Sequence, residues 1–116
     1  ASYRRQRQMC IRDSHYLIGL FGGVDVRCSS FHLPGSQELA NAIVKSLRNR
    51  KVALIANHGV VSIGKNLNDT LYLAEQFEAM CKQITIAKIN GNPKKISPLD
   101  MKKILIEIKS YTNKDD

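Results

Sequence analysis

Three histidines and two tyrosines are the side chains of this sequence best placed to do chemistry: His15, His32, His58, Tyr16 and Tyr111. His58 has the most informative setting. It lies in "ALIANHGVVSIG", residues 53–64, where one apolar run ends, a histidine and a glycine follow, and a second apolar run begins. A histidine at a strand end beside glycine has a free ring nitrogen and little steric cover. That suits coordination of a divalent metal through neutral imidazole. The competing reading is a histidine satisfied within its own fold, and one imidazole cannot hold a metal alone. His15 is the next candidate ligand, with no direction fixed by sequence. His32 lies in a Pro/Gly loop and reads as a surface residue. No HxH, HxxxH or HExxH pair occurs, so these residues alone are not expected to close a metal site.

A phenol can act as general acid or base, but near neutral pH it needs a perturbed environment to do so. Tyr16, inside an apolar run, defaults to core packing; Tyr111, near the end of the sequence, defaults to the surface. Spacing singles out neither. "GLFGG" follows an apolar run as nucleotide-binding turns do, yet it lacks the G-x-G-x-x-G order and a following helix. Cys10, Cys28 and Cys81 are odd in number and lack CxxC spacing, so they read as reduced thiols rather than disulfides or a zinc knuckle.

The elements that must position these residues belong to one small domain of 116 residues, 43% hydrophobic. No run approaches the roughly 18 to 20 apolar residues of a membrane span, and no signal-peptide pattern is present. The net charge of +8 would ordinarily raise nucleic acid as a partner. Four arginines of that balance stand in "RRQRQMCIRDS", residues 4–14, which has neither helical nor strand periodicity. The segment can be a basic arm or a disordered terminus. It also resembles one reading frame of a transposon-end adapter used in DNA library preparation, and residues 1–14 are therefore expected to be disordered and foreign to the domain. Without them the charge falls from +8 to +5, because four arginines and Asp13 leave together. No basic cluster then remains to favour nucleic acid.

From His15 onward the pattern predicts an α/β (α+β) fold with helices on a sheet. "HYLIGLFGG" (15–23) reads as a β-rich run ending at Gly-Gly, and "VDVRC" (24–28) alternates like a half-buried strand. After the loop "SSFHLPGS", Ser36 can cap a helix to about residue 49 whose stripe is Leu39, Ile43, Val44 and Leu47. "VALIA" and "GVVSI" are two apolar strands expected to be covered on both faces. A long helix capped by Asn68 or Asp69 runs to about Asn90, with Gly91 and Pro93 after it. A last helix is signalled by Ser97, Pro98 and Asp100, with Met101, Ile104, Leu105 and Ile108 buried, and "KSYTNKDD" reads as a polar tail beyond it. The run at His15 has no turn or cap before it, which suggests a piece of something larger.

The ordered set "HYLIGLFGG", "VRC", "GSQELA", "LRNRKVALIANHG", "LYLAEQFEAM" and "IKSY" resembles the C-terminal half of the class II aldolase/adducin family, in its L-fuculose-phosphate aldolase branch. The resemblance spans His15 to Tyr111. It implies a cytoplasmic, zinc-dependent homotetramer with active sites at subunit interfaces, cleaving a ketose 1-phosphate into dihydroxyacetone phosphate and an aldehyde. By motif position it makes His58 the third zinc histidine. It likewise makes Tyr16 a proton donor from a neighbouring subunit and Tyr111 a tyrosine on a mobile closing tail. The family's HxH pair, general-base glutamate and glycine-rich phosphate loop would all precede residue 15. Residues 15–116 therefore read as the C-terminal part of a domain, expected to be inactive and poorly folded alone. "SSFHLPGS" and Thr112 depart from the family pattern, which puts the loop shape and tail flexibility in question. A sugar-phosphate dehydratase or epimerase is the alternative within the family; a non-catalytic adducin-like assembly module is the alternative outside catalysis.

Overall fold

The computed structural model describes Ile11, Arg12 and residues 14–114, with side-chain burial described as far as Tyr111. The elements run β1 (Ile11–Arg12), a 3₁₀ helix (Tyr16–Phe21), β2 (Asp25–Val26), β3 (Cys28–Ser29), α1 (Gln37–Ser46), β4 (Val52–Ile55), β5 (Gly59–Ser62), α2 (Leu67–Ile89) and α3 (Pro98–Lys114). β1 and β2 form a two-stranded antiparallel ribbon. The second sheet has the order β3-β4-β5, with β3 parallel and β5 antiparallel to β4. The mixed α and β architecture is the class expected. Ile11 and Arg12 fall in the segment expected to be disordered; they pair with Val26 and Asp25, and Ile11 packs against the core. Apart from Ser14, the rest of that segment lies outside the described residues.

The run at 15–21 is not a strand. His15 caps a 3₁₀ turn: its Nδ1 accepts from the Leu17 N–H at 3.1 Å, and its carbonyl accepts from the Ile18 N–H at 3.2 Å. Gly22, at φ 102°, ends the turn. Ile18 and Phe21 are both fully buried, a spacing of three that suits the 3₁₀ period and not the two of a strand. Apolar composition alone cannot separate the two, which is why the strand reading fails here. Gly19 lets α3 approach closely, since a β-carbon there would stand 2.6 Å from Ile108 Cδ1 and 3.3 Å from Ile104 Cγ2.

The helices follow their caps. Ser36 Oγ accepts from the Leu39 N–H and opens α1, which lies half-buried with Val44 turned to solvent. α2 starts earlier than expected, because Asn66 Oδ1 takes the Asp69 N–H at 2.8 Å while Asp69 turns back to the Lys65 N–H at 3.0 Å. Ser97 Oγ accepts from the Asp100 N–H at 3.1 Å, with Pro98 in the first helical position of α3. α3 continues through Lys114, so the polar "KSYTNK" is helix rather than tail. It contains neither glycine nor proline to stop it.

The core joins the 3₁₀ helix (Ile18, Phe21), β2 (Val26), β4 (Val52), α2 (Leu73, Phe77, Met80, Ile84) and α3 (Met101). Phe21 meets Phe77 edge to face with centroids 5.5 Å apart. The expectation that both apolar strands are covered holds for Val52 and Ala53 of β4. It fails for β5, an outer strand of its sheet, where Val60 is exposed along with Ile63 just beyond it. Arg50 locks the turn before β4 onto β2, its Nε donating to the Asp25 carbonyl and its Nη2 standing 2.8 Å from Asp25 Oδ1. Among the described residues no helix is long and apolar enough to cross a membrane.

Candidate functional site

His58 sits in the turn joining β4 to β5. The strands pair Ile55 with Gly59, which leaves Ala56, Asn57 and His58 to make the reversal. The His58 N–H donates to the Ile55 carbonyl at 3.0 Å and closes it. Asn57 takes a left-handed φ of 62°, a conformation asparagine tolerates better than most residues, and Gly59 follows at φ 154°. Ala56 anchors the turn in the interior while His58 is exposed. The Asn-His-Gly order therefore presents an imidazole at the end of a buried strand.

Parallel pairing brings a second segment to the same end. Cys28 and Ser29 of β3 lie beside Leu54 and Ile55, so the chain leaving β3 runs out next to the His58 turn. The Phe31 ring stacks on the His58 imidazole at 6.1 Å between centroids and 24° between planes. His32 is half-buried, and its Nε2 lies 2.8 Å from Ser30 Oγ. It is thus engaged locally rather than lying free on the surface as its loop composition implies. The Phe31–His58 contact was not legible in sequence, because nothing local shows that β3 pairs with β4.

His15 is excluded as a free ligand. Its Nδ1 takes the Leu17 N–H and its Nε2 lies 2.7 Å from Gln83 Oε1. Tyr16 stacks on that ring at 5.1 Å and 25° and is 58% exposed, not packed in the core. The 3₁₀ turn causes this: Ile18 and Phe21 occupy its inner face, and Tyr16 at its start falls outside. Tyr111 lies within α3 and is 70% exposed. No hydrogen bond or ring contact among the described residues joins His58, Tyr16 and Tyr111. Nor do those residues contain any group of three His, Cys, Asp or Glu able to hold a metal ion. The described residues therefore do not fit a closed zinc site. They offer one exposed imidazole, and a metal there needs ligands from elsewhere.

Comparison with known proteins bears on what these residues serve. The family profile described as "Class II Aldolase and Adducin N-terminal domain" matches residues 3–85. A 5-methylthioribulose-1-phosphate/5-deoxyribulose-1-phosphate aldolase of Rhodospirillum rubrum is 27% identical over 97 residues, covering 84% of this chain and 44% of the relative. L-fuculose phosphate aldolase of Escherichia coli K12 is 29% identical over 98 residues, covering 84% and 46%. A 5-deoxy-D-ribulose 1-phosphate aldolase of Bacillus thuringiensis is 32% identical over 97 residues, covering 83% and 45%. Among solved structures, an L-fuculose 1-phosphate aldolase superposes with a TM-score of 0.82 at 28% identity, over 93% of this chain and 50% of its own. The chain spans about half the length of the curated relatives it matches.

Proposed function

The chain belongs to the class II aldolase and adducin family, and we propose that it is part of a metal-dependent aldolase cleaving a ketose 1-phosphate into dihydroxyacetone phosphate and an aldehyde. The observation that carries this reading is the superposition on an L-fuculose 1-phosphate aldolase over 93% of the chain. The substrate is of the L-fuculose 1-phosphate type; relatives named for 5-deoxyribulose 1-phosphates support a second, shorter sugar.

The residues divide the work by position. His58, exposed at the strand end, contributes one imidazole to a divalent metal, zinc by preference, and the metal supplies Lewis-acid polarisation of the sugar's oxygens when bound. The other ligands, the general base and the phosphate loop come from sequence outside residues 15–116. Tyr16 presents its phenol outward and delivers a proton at a neighbouring subunit's site, in a cytoplasmic homotetramer. Tyr111, at the outer part of α3, covers the site as the sugar binds. Its helical setting supports movement by fraying of the last turns rather than swinging of a loose tail.

The test begins by resequencing the source DNA across the codons for residues 1–20. An upstream HxH pair, glutamate and glycine-rich loop in the same frame would supply the missing parts. A genomic origin for residues 1–14, whose last twelve the family match includes along with the rest of its span, would instead leave the site without them. The complete protein is then assayed for dihydroxyacetone phosphate release from L-fuculose 1-phosphate and 5-deoxyribulose 1-phosphate. Tyr16→Phe is expected to lower kcat by about 10²- to 10⁴-fold, the usual range for one general acid. Absence of release from both sugars by the wild type would sink the reading.

A further inference from the structure

The His15 ring makes two hydrogen bonds of opposite sense. Its Nδ1 accepts from the Leu17 backbone N–H at 3.1 Å, so that nitrogen carries a lone pair. In a neutral ring the proton is then on Nε2, which donates to Gln83 Oε1 at 2.7 Å. One bond is to the 3₁₀ helix that His15 caps and the other is to α2, 68 residues away in sequence. The ring cannot turn over without losing both. Tyr16 lies on its face, centroids 5.1 Å apart and planes 25° from parallel. The Tyr16 phenol has no hydrogen bond of its own among the described residues and is more exposed than buried. Its direction is therefore set by the ring beneath it.

We propose that His15 is a positioning residue for Tyr16, set in the single Nε2–H tautomer by the Leu17 N–H and held in orientation by Gln83. Neither ring nitrogen is left to carry a proton to or from the phenol, so the role is orientation and not relay. Gln83 extends the arrangement to α2: the register of that helix fixes the imidazole, and the imidazole fixes the phenol. The functional weight of this rests on the reading of Tyr16 as a proton donor, while the geometric claim stands without it. A plain alternative is that His15 serves only as a helix cap. Asparagine is among the best caps and has no ring to stack, so substitution separates the two roles.

The experiment is nitrogen-15 and proton NMR of the histidine and tyrosine rings in the full chain. In the wild type, His15 is expected as one Nε2–H tautomer with a slowly exchanging proton, and Tyr16 ring protons carry a ring-current shift. Gln83→Leu, at an exposed position, is expected to leave the helical circular dichroism unchanged. It should also expose the His15 proton to exchange and shrink the Tyr16 shift. His15→Asn is expected to keep the Leu17 amide protected and abolish the Tyr16 shift. A wild-type ring averaging between tautomers overturns the proposal, as does a Tyr16 shift unchanged in both variants. Full lyase activity of Tyr16→Phe in the complete protein would remove the proton-donor role and leave these NMR outcomes untouched, so the two failures are distinguishable.

Discussion

Where the 3₁₀ helix meets α2 and α3, Ile18, Phe21, Met80 and Met101 are fully buried, and the cluster joins segments far apart in sequence. At the C-terminal end of β4, by contrast, the Ala56–His58 turn exposes its histidine, and the ring contact it makes is with Phe31, itself 49% exposed. The first region is held by burial, the second by a turn. A residue in the first region contributes to stability through the volume it fills. In the second, the exposed His58 side chain can be changed at little cost to the fold, which leaves it available for chemistry. Tyr16 stands on the boundary, at the start of an element whose inner face is core and whose outer edge is solvent.

The comparison is sharpest at Met101. Truncation to alanine leaves a cavity in the buried cluster that Met101 belongs to, and losses at such sites run to about 2 to 5 kcal/mol. Met101→Ala is therefore expected to lower the urea midpoint of the chain by the largest margin of any change considered. A shift no larger than that of a surface variant would mean α3 is not docked. Gly19→Ala is the next test. Its β-carbon would meet the end of the Ile108 side chain at 2.6 Å; Ile108 can rotate away, but Ile104 Cγ2 also crowds the site. A loss of about 1 to 3 kcal/mol is expected from this overpacking, seen as a lower midpoint with unchanged slope.

Cys81 tests the boundary from the other side. Burial, with the Glu78 charge adding to it, raises its thiol to about 11. Folding thus favours the protonated form. The contribution is complete below the ordinary thiol range and is lost as pH rises from about 9 towards 11. Alkylation of Cys81, followed by mass spectrometry, is expected to stay slow at neutral pH and to accelerate only across that alkaline window. Fast modification at pH 7 would show that the packing of α2 against the core does not cover it.

How much of this was legible depended on whether the signal was local. Ser36 and the Ser97, Pro98, Asp100 trio announced their helices because a cap needs only a few neighbouring residues. The exposure of His58 was readable for the same reason: Asn57 and Gly59 both suit a tight reversal. The 3₁₀ helix was not readable, because "YLIGLF" has the same composition as a buried strand and only packing against α2 and α3 selects between them. Tyr111 was placed in a tail because polarity was mistaken for an end, when no residue there stops a helix. Phe31 and Gln83 went unnoticed because both act across pairings that no local pattern records.

The smallest expected effect is also the most decisive one. His58→Ala removes an exposed ring whose one aromatic contact, at 6.1 Å, is near the outer limit for such pairs. Its stability cost is expected to stay within about 0.5 kcal/mol, as for other surface changes. Zinc should make no difference to the chain with or without His58. The described residues offer no group of three ligands, and stable tetrahedral sites take three or four protein ligands. Thermal melts of wild type and His58→Ala, each with and without equimolar zinc, are expected to give four nearly coincident curves. A zinc-dependent rise confined to the wild type would break the contrast between the two regions. It would mean that further ligands reach His58, from residues beyond those described or from a second copy, and that the exposed turn is half of an assembled site.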